Sequence, residues 1–382
     1  MMKERQSKPI KVAMIIQDYL PRVGGAERQL AALAPLLRER GVEIHIVTRR
    51  YPGLSRYELI EDVPVYRLPI HRSKILASLM FTFSAIPTLW RIRPHIIHAH
   101  GLMSPTTIAI LAHYFLGVPI ASKSLRGGLL GDLKRLLNKP FGRFRFRMLK
   151  RNVDVFITIS KEIKEELTRE GVPPNKCTNI PNGVDLDRFA AASKEEKKML
   201  RENLGLPDGQ LVIFSGRLEA EKRVGDLIQI WPELQSRFPN AHLIILGTGS
   251  EESDLKKAAG EDIHFIGLVD NVVPYLRAVD IFVLPSVSEG LSNSLLEALA
   301  SNLPVVVTAT GGTTEIVRHK VSGWLIQDYS AKHLSEGITA MLENENLRET
   351  CAIEGKRYVT ENFSIVRTAD KLLTLYSSLL SL

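Results

Sequence analysis

Two glutamates spaced eight positions apart, Glu289 and Glu297, most directly indicate chemistry in this chain. The apolar run 281–284 predicts a strand, followed by a loop that carries Glu289 and a helix that carries Glu297 about two turns in. Eight helical steps span about 12 Å, whereas glycoside hydrolases hold their two carboxyl groups roughly 5 to 9.5 Å apart. More widely spaced carboxylates suit an elongated ligand with hydroxyl groups at both ends, such as a nucleotide sugar. The alternative is an unrelated loop glutamate and a solvated helix glutamate.

Two further loops each follow a predicted strand and lead into a predicted helix. In the first, Gly24 and Gly25 let backbone N–H groups approach a phosphate at a helix N-terminus, although a structural turn explains this pattern equally well. In the second, the cations Arg217 and Lys222 stand where they could grip a diphosphate. Binding by these two cations would neutralise the charge of a diphosphate leaving group without a metal. The alternative is an ordinary surface loop with ion pairs.

Metal ligands are not predicted anywhere in the sequence. His98 and His100 point to one face at the end of a strand, but no carboxylate or cysteine follows at ligand spacing. We expect a polar contact at the domain cleft for His100 and a structural role for His98. The Asp-x-Asp pattern at 185–187 follows Asn182-Gly183, which predicts a turn. The sequence therefore predicts no metal site and no cofactor.

Length and composition describe a soluble globular protein of two domains. The chain has 382 residues, of which 45% are hydrophobic and 24% charged. The polar segment 1–10 is followed by an apolar run too short for a signal-peptide core. The two cysteines, Cys177 and Cys351, are far apart in sequence and form no disulfide framework. A reducing cytoplasm is the expected location.

Charge is distributed unevenly along the chain. Residues 1–190 hold 31 Lys and Arg against 16 Asp and Glu, whereas the remainder holds 19 against 26. The segment 121–151 alone holds ten basic residues and one acidic residue, interleaved with phenylalanines at 141, 144 and 146. This mixture suits binding to an anionic membrane surface. Nucleic acid is the alternative anionic partner, although no known nucleic-acid-binding motif accompanies the segment. A solvated basic helix is the remaining alternative.

A second segment of the same half is uncharged. Residues 75–90 form 16 positions without a charge, interrupted by Pro87. A spanning helix needs about 20 apolar residues, so we predict a buried or interfacial helix and no transmembrane anchor. Together with 121–151, this segment is the candidate membrane-facing surface.

The order of predicted elements indicates an α/β protein. Strands and helices alternate throughout, which favours parallel sheets covered on both faces. Ten strands are predicted, at 11–15, 43–48, 96–99, 119–122, 154–159, 211–215, 242–246, 264–266, 281–284 and 305–308. Turn residues at 180–185 place the boundary between domains 1–190 and 191–363. Two doubly wound domains facing each other would bind ligands between them, at the carboxyl ends of the strands.

Taken in this order, the motifs resemble those of glycosyltransferase family 4, the retaining enzymes with the GT-B architecture. The resemblance runs from about residue 11 to 382 and is strongest from 265 to 323, where the glutamate pair and the segments 280–286 and 311–317 match. It implies two facing Rossmann-like domains, with the C-terminal helix 364–382 crossing back to the first. Asn302 stands where the family often has glycine, and asparagine also tolerates a left-handed helix terminus.

The resemblance also implies roles for individual residues. Glu289 would contact hydroxyls of the donor sugar and Glu297 the ribose hydroxyls, while Arg217 and Lys222 would hold the diphosphate. Gly24 and Gly25 would close over the phosphates, and His100 would lie near the transferred sugar. Further contacts to the donor would come from the backbone N–H groups of Leu291, Ser292 and Asn293.

The sequence thus predicts a metal-independent hexosyltransferase that moves a sugar from a nucleoside-diphosphate sugar with retention. Because both membrane-like segments lie in the first domain, we expect a lipid-linked glycan acceptor, such as a polyprenyl-diphosphate intermediate of a bacterial surface polysaccharide. The enzyme would then be cytoplasmic and peripheral on the inner face of the cell membrane. Two alternatives stay open: a soluble transferase acting on a free sugar or small molecule, and a non-catalytic scaffold that binds nucleotide sugars.

Overall fold

The computed structural model of this chain describes residues 9–22, 24–128 and 130–381. The prediction for the N-terminal segment 1–10 therefore falls largely outside the described residues. The chain forms two compact units, the first made of residues 1–182 and 365–382 and the second of residues 183–364. Each unit is built on its own mainly parallel sheet.

The first unit contains an eight-stranded sheet in the order β3-β4-β2-β1-β5-β6-β7-β8. All neighbours in it are parallel except β3 and β4, which form an antiparallel pair at one edge. Its strands are β1 (Ile10–Ile15), β2 (Val42–Arg49), β3 (Tyr57–Ile60), β4 (Val63–Leu68), β5 (Ile96–His100), β6 (Ile120–Lys123), β7 (Val155–Thr158) and β8 (Cys177–Asn179).

Burial explains which of these strands the sequence reveals. The central strands read as continuous apolar runs because helices cover both faces of a parallel sheet, and β1, β2, β5, β6 and β7 lie where the pattern predicts them. The edge strands β3 and β8 are short and carry exposed or polar residues, and they were not predicted. Strand β4, beside β3, was also missed because Pro64, Tyr66 and Arg67 interrupt its apolar run.

Helices pack on both faces of this sheet, and one of them comes from the far end of the chain. They are α1 (Gly25–Glu39), α2 (Lys74–Ile92), α3 (Ser104–Leu116), α4 (Asp132–Leu137), α5 (Gly142–Asn152), α6 (Lys161–Arg169) and α15 (Ile365–Leu380). Helix α15 packs against α1 and β5 and contributes Leu372, Tyr376 and Leu379 to the core of the first unit. The C-terminal helix thus belongs to the first unit, as predicted.

Helix α2 has two apolar faces, one buried against the first unit and one exposed. Phe81, Ala85 and Leu89 recur every fourth residue and are fully buried against the unit. Within the described residues, α2 is the one helix long and apolar enough to cross a membrane, and a third of its residues 75–92 is buried. Core helices of soluble proteins meet the same criteria. The outward face carries a stripe of exposed large residues, Ile75, Leu76, Leu79, Met80, Phe83 and Trp90.

The second unit is a six-stranded parallel sheet in the order β11-β10-β9-β12-β13-β14. Its strands are β9 (Gln210–Ser215), β10 (Ala241–Leu246), β11 (Ile263–Gly267), β12 (Ile281–Leu284), β13 (Val305–Thr308) and β14 (Trp324–Ile326). Its helices are α7 (Lys194–Leu204), α8 (Val224–Arg237), α9 (Glu252–Ala258), α10 (Val273–Ala278), α11 (Asn293–Ala300), α12 (Thr313–Ile316), α13 (Ala331–Glu343) and α14 (Glu345–Asn362). The short edge strand β14 was not predicted.

The division between the units falls earlier than the predicted residue 190. Contacts divide the chain after Asn182 and after Ser364. Val184 forms a bridge with Ser364, and its N–H donates to the carbonyl oxygen of Phe363 at 2.8 Å. These bonds attach the segment 183–190 to the second unit.

Candidate functional site

An ion pair joins two of the predicted site residues in the second unit. The loop after β9 ends in a 3₁₀ turn, Ala220–Lys222, and Glu289 lies in the loop after β12. The Nζ atom of Lys222 donates to Oε1 of Glu289 at 2.5 Å, and the two side chains are only 14% and 10% exposed. Residues 67 positions apart in sequence are thereby brought together at the carboxyl ends of two adjacent strands.

Arg217 lies in the same loop and is more accessible. Its Nη2 atom donates to Oε1 of Glu221 at 3.1 Å, and its side chain is half exposed. The backbone N–H of Val287, in the β12 loop, donates to the carbonyl oxygen of Glu221 at 2.9 Å. The cation-bearing loop and the Glu289 loop are thus tied together through the backbone.

Two glycines after β10 position the Arg217 loop. A Cβ atom added at Gly247, where φ is +124°, would lie 1.8 Å from the carbonyl oxygen of Gly216. One added at Gly249 would lie 2.2 Å from the carbonyl oxygen of Leu218. The backbones pass too closely for any side chain, and the N–H of Leu218 donates to Thr248 O at 2.9 Å. Sequence reasoning missed this support, although the Gly-Thr-Gly sequence directly after β10 was a signal for it.

Helix α11 carries the second glutamate. The helix starts at Asn293, so Glu297 lies one turn into it and not two as predicted. The hydroxyl oxygen of Ser292 accepts from the N–H of Leu295 and caps the helix, so residues 290–292 precede the helix and do not belong to it. Glu297 is half-buried. The predicted backbone donors Leu291, Ser292 and Asn293 lie at this helix start.

The loop after β13 closes over the loop that carries Glu289. The N–H of Gly312 donates to the carbonyl oxygen of Gly290 at 2.8 Å, and a Cβ atom there would lie 2.6 Å from that oxygen. The hydroxyl of Thr310 donates to Val287 O at 3.1 Å. The predicted segment 311–317 therefore supports the Glu289 loop by close backbone contact.

In the first unit, His98 and His100 stack at the end of β5. Their ring centroids are 4.3 Å apart with the planes 18° from parallel. Nδ1 of His98 lies 2.7 Å from the hydroxyl oxygen of Tyr376 in α15, which gives His98 the structural role predicted for it. Among the described residues, the Nε2 atoms of both histidines are buried without a hydrogen-bond partner.

A buried lysine adjoins the two histidines. Lys123 pairs with His100 in the register of β5 and β6, and its Nζ atom donates to Oδ1 of Asn182 at 2.9 Å. Burial lowers the pKa of Lys123 to about 8. Burial and, to a smaller extent, the charge of Lys123 lower the pKa of His98 to about 3. Burial is also the main reason that the pKa of His100 lies well below its usual value, and His98 and Lys123 lower it further. Both imidazoles are therefore neutral at pH 7.

The glycine loop after β1 leads into α1 without a side-chain cap. Gly24 is the N-cap residue in an extended conformation, and the helix begins at Gly25. A Cβ atom at Gly24 would lie 2.5 Å from Oε2 of Glu27, so an acidic side chain already lies against this turn. The phosphate contact predicted for Gly24 and Gly25 stays a prediction.

The basic segment 121–151 has an inner and an outer face. Lys123, Phe146 and Leu149 are buried, and Arg145 donates to the hydroxyl of Thr107 at 3.0 Å. The outer face combines two strongly exposed phenylalanines with exposed cations: Phe141, Phe144, Lys134, Arg135, Lys139, Arg143, Arg147 and Arg151. Helix α3 packs against both α2 and α5, and it adds exposed Tyr114 and Phe115.

The two units thus hold different parts of the predicted site. The second unit brings together Arg217, Lys222, Glu289 and the start of α11 at the carboxyl ends of β9 and β12. The first unit places His100 and the glycine loop at the carboxyl ends of β5 and β1. Within the described ranges, no cluster of three or more potential metal ligands occurs. Fixed cations beside hydroxyl-binding carboxylates can hold an anionic, polyhydroxylated ligand.

Comparison with known proteins covers nearly the whole chain. A family model described as Glycosyltransferase Family 4 matches residues 23–188, and one described as Glycosyl transferases group 1 matches residues 196–358. The chain is 31% identical to TuaC, a putative teichuronic acid biosynthesis glycosyltransferase of Bacillus subtilis, over 74% of this chain and 72% of TuaC. It is 29% identical to an uncharacterised glycosyltransferase of Methanocaldococcus jannaschii, over 96% and 98% of the two chains.

A further relative and a solved structure extend the comparison. The UDP-Gal:alpha-D-GlcNAc-diphosphoundecaprenol alpha-1,3-galactosyltransferase of Escherichia coli is 26% identical over 98% of both chains. The crystal structure of HepE from Anabaena in complex with UDP-glucose superposes with a TM-score of 0.81, at 20% identity, over 96% of this chain and 99% of that one. That superposition shows a shared fold.

Proposed function

Because this chain belongs to glycosyltransferase family 4 and has the predicted GT-B fold, we propose that it transfers a sugar with retention from a nucleoside-diphosphate sugar to a lipid-linked glycan acceptor. The family membership makes the chain a glycosyltransferase. The donor class, the stereochemical course and the acceptor are the proposed part.

The Lys222–Glu289 ion pair is the observation that carries the donor assignment. It holds a cation and a carboxylate side by side at the ends of β9 and β12, with Arg217 in the same loop. When the bond between the anomeric carbon and the diphosphate breaks, the electron pair leaves with the diphosphate. Lys222 and Arg217 stabilise that growing negative charge, and Glu289 accepts hydrogen bonds from sugar hydroxyls. Glu297, one turn into α11, is assigned to the ribose hydroxyls.

The acceptor proposal rests on the outer surface of the first unit. The exposed stripe of α2 and the exposed cations and phenylalanines of α4 and α5 combine apolar and basic groups, as membrane-surface proteins do. The name of the Escherichia coli relative specifies a diphosphoundecaprenol acceptor. We assign to this chain a polyprenyl-diphosphate-linked glycan, used at the inner face of the cell membrane.

The donor assignment is tested by a thermal-shift screen of UDP-, GDP- and ADP-sugars, followed by transfer assays with the best ligand. Lys222→Ala should abolish the stabilisation by that ligand, because the diphosphate loses its most buried cation. Lys257→Ala is the matched control, since Lys257 lies on α9 with its side chain 75% exposed. Donor binding that survives Lys222→Ala unchanged would contradict the assigned role.

The membrane proposal is tested by sedimentation with liposomes that contain phosphatidylglycerol. We expect binding that weakens at high salt and is lost in Phe83→Glu, because the charge interrupts the apolar stripe of α2. Ile353→Glu is the control, because Ile353 is a similarly exposed apolar residue on α14. Equal sedimentation with neutral and anionic lipid, or equal loss in both variants, would count against the membrane surface.

A further inference from the structure

Lys123 is a buried cation in the first unit to which the proposed donor site assigns no role. It is the last residue of β6, and only 4% of it is exposed. Because it pairs with His100 in the parallel register of β5 and β6, the two side chains share one face of the sheet. The Nζ atom has three N–H donors, and Oδ1 of Asn182 is the one hydrogen-bond acceptor that it reaches among the described residues. Two donors of this ammonium group are therefore left for another acceptor.

No negative charge compensates this cation. Within the described ranges no carboxylate forms an ion pair with Lys123, and burial alone lowers its pKa, to about 8. At pH 7 the group is therefore mainly charged. The neighbouring imidazoles of His98 and His100 are neutral, and the hydroxyl of Tyr376, whose pKa burial raises, is uncharged as well. A buried charge without a partner is costly, and an apolar side chain at this position would avoid that cost.

Lys123 lies at the edge of the sheet where ligands bind in proteins of this architecture. Exposure rises from 1% at His98 to 5% at His100 along β5, and from 0% at Ala121 to 4% at Lys123 along β6. His100 and Lys123 end adjacent parallel strands, and open α/β sheets bind ligands at the carboxyl ends of their strands. The Nε2 atom of His100 is a second polar atom there that is buried without a partner in the described residues. The missing partner of both groups is thus expected to be a ligand.

We propose that Lys123 is the cation of an anion-binding site at the carboxyl ends of β5 and β6, and that a phosphate group of a substrate supplies its counter-charge. This inference rests on the proposed transfer reaction and deepens it, because the donor and the lipid-linked acceptor of that reaction both carry a diphosphate. Phosphate oxygens accept hydrogen bonds from an ammonium group, and from Nε2 of His100 in the tautomer that carries hydrogen there. The site belongs to the first unit, whereas Arg217 and Lys222 belong to the second.

Proton uptake on ligand binding tests this assignment. An anion beside Lys123 stabilises its charged form, and about half of Lys123 is uncharged in the ligand-free chain at pH 8. Binding should therefore take up close to half a proton per ligand at that pH. Isothermal titration calorimetry of the full chain in buffers of different ionisation enthalpy measures this uptake. The affinity should also fall about fivefold from pH 8 to pH 9, because a growing fraction of Lys123 must first gain a proton.

Two kinds of probe separate the two sources of the phosphate. UDP, GDP and ADP represent the donor, and farnesyl diphosphate represents the acceptor. Proton uptake with a nucleoside diphosphate would assign the site to the donor, and uptake with farnesyl diphosphate would assign it to the acceptor. No uptake with any of these probes would overturn the proposal. Donor turnover is measured separately, so failure of the proposed transfer is distinguishable from failure of this site.

The variant Lys123→Met replaces the ammonium group with an apolar side chain of similar length. We expect its free energy of unfolding at pH 7 to equal or exceed that of the parent chain, because a buried unpaired charge is removed. It should bind the active probe about tenfold or more weakly and take up no proton. Lys371→Met, at an exposed position of α15, is the matched control and should keep both the affinity and the uptake.

The variant Lys123→Arg separates charge from proton uptake. Arginine keeps its proton at pH 8 to 9, so this variant should bind the probe but lose the uptake and the pH dependence of the affinity. Uptake that persists in Lys123→Met, or equal affinity of Lys123→Met and Lys371→Met, would overturn the proposal. If Lys123→Met does not fold, unchanged proton uptake in Lys123→Arg would overturn it instead.

Discussion

The Nζ atom of Lys222 lies 2.5 Å from Oε1 of Glu289, so the cation assigned to the donor diphosphate and the carboxylate assigned to the donor sugar bind each other. Both side chains are largely buried. Each residue therefore holds the other in place, and the pair acts as one unit for positioning and for charge.

We predict that Lys222→Met and Glu289→Gln each lower the turnover of the donor about a hundredfold or more, because a fixed charge beside the reacting group is lost. Each single change should also lower the free energy of unfolding by about 1 to 3 kcal/mol, since it leaves a largely buried group without its hydrogen-bond partner. Urea denaturation and steady-state kinetics measure both quantities.

A double-mutant cycle isolates the pair itself. The variant with both changes should lose less stability than the two single losses added together. Additive losses would mean that the two side chains do not stabilise each other.

The glycines after β10 provide a test of site positioning. Gly249→Ala places a Cβ atom 2.2 Å from the carbonyl oxygen of Leu218, which must move the adjacent Arg217 loop. We expect kcat/KM for the donor to fall about a hundredfold, because small misplacements of binding groups are costly. Gly260→Ala is the matched control, as nothing lies within 4 Å of its added Cβ atom. Unchanged kinetics in Gly249→Ala would exclude this loop from the site.

The hydrogen bond between His98 and Tyr376 links β5 to the C-terminal helix. Tyr376→Phe removes the hydroxyl and leaves Nδ1 of His98 buried without its partner, at a cost of about 1 to 3 kcal/mol in unfolding free energy. Tyr57→Phe, with Tyr57 half exposed on β3, should change stability little. Equal stability of Tyr376→Phe and Tyr57→Phe would show that this bond contributes nothing.

Stability should depend on pH through the buried histidines. Because burial lowers the pKa of His98 from 6.5 to about 3, the unfolded chain binds a proton below pH 6.5 that the folded chain excludes. The stabilisation is complete above pH 6.5 and is lost as pH falls, by about 2 kcal/mol per such histidine at pH 5. His100 acts in the same direction.

The variant His98→Gln tests this dependence by urea denaturation at pH 7 and pH 5. Its stability should fall less between the two values than that of the parent chain. An identical fall in both proteins would mean that His98 does not exclude the proton.

The features that could be predicted are those marked by the type and spacing of neighbouring residues in the sequence. The buried strands and the loops with Arg217, Lys222 and Glu289 follow from apolar runs and the residues after them. The edge strand β3 was missed because it is exposed and Glu58 interrupts its apolar residues, and β14 because a run of three apolar residues is too short to indicate a strand. Sequence spacing also placed Glu297 a turn too deep in the helix, since the spacing does not show that residues 290–292 lie outside the helix and that Ser292 is its cap.

Long-range contacts were beyond prediction for a different reason. His98 and Tyr376 are 278 positions apart, and nothing near either residue indicates the other. The same holds for Gly247, where the backbone of Gly216 lies too close for any side chain to fit. Such relationships follow from how elements meet, and a single sequence does not encode them locally.

The return of α15 to the first unit has a consequence for synthesis on the ribosome. When residues 1–182 have emerged, the surface of α1 that α15 covers is still bare, because α15 is translated after the whole second unit. The second unit is continuous in sequence and has no such delay. The nascent first unit therefore exposes an apolar face during nearly half of elongation, and a fragment that stops at Asn182 would keep it exposed.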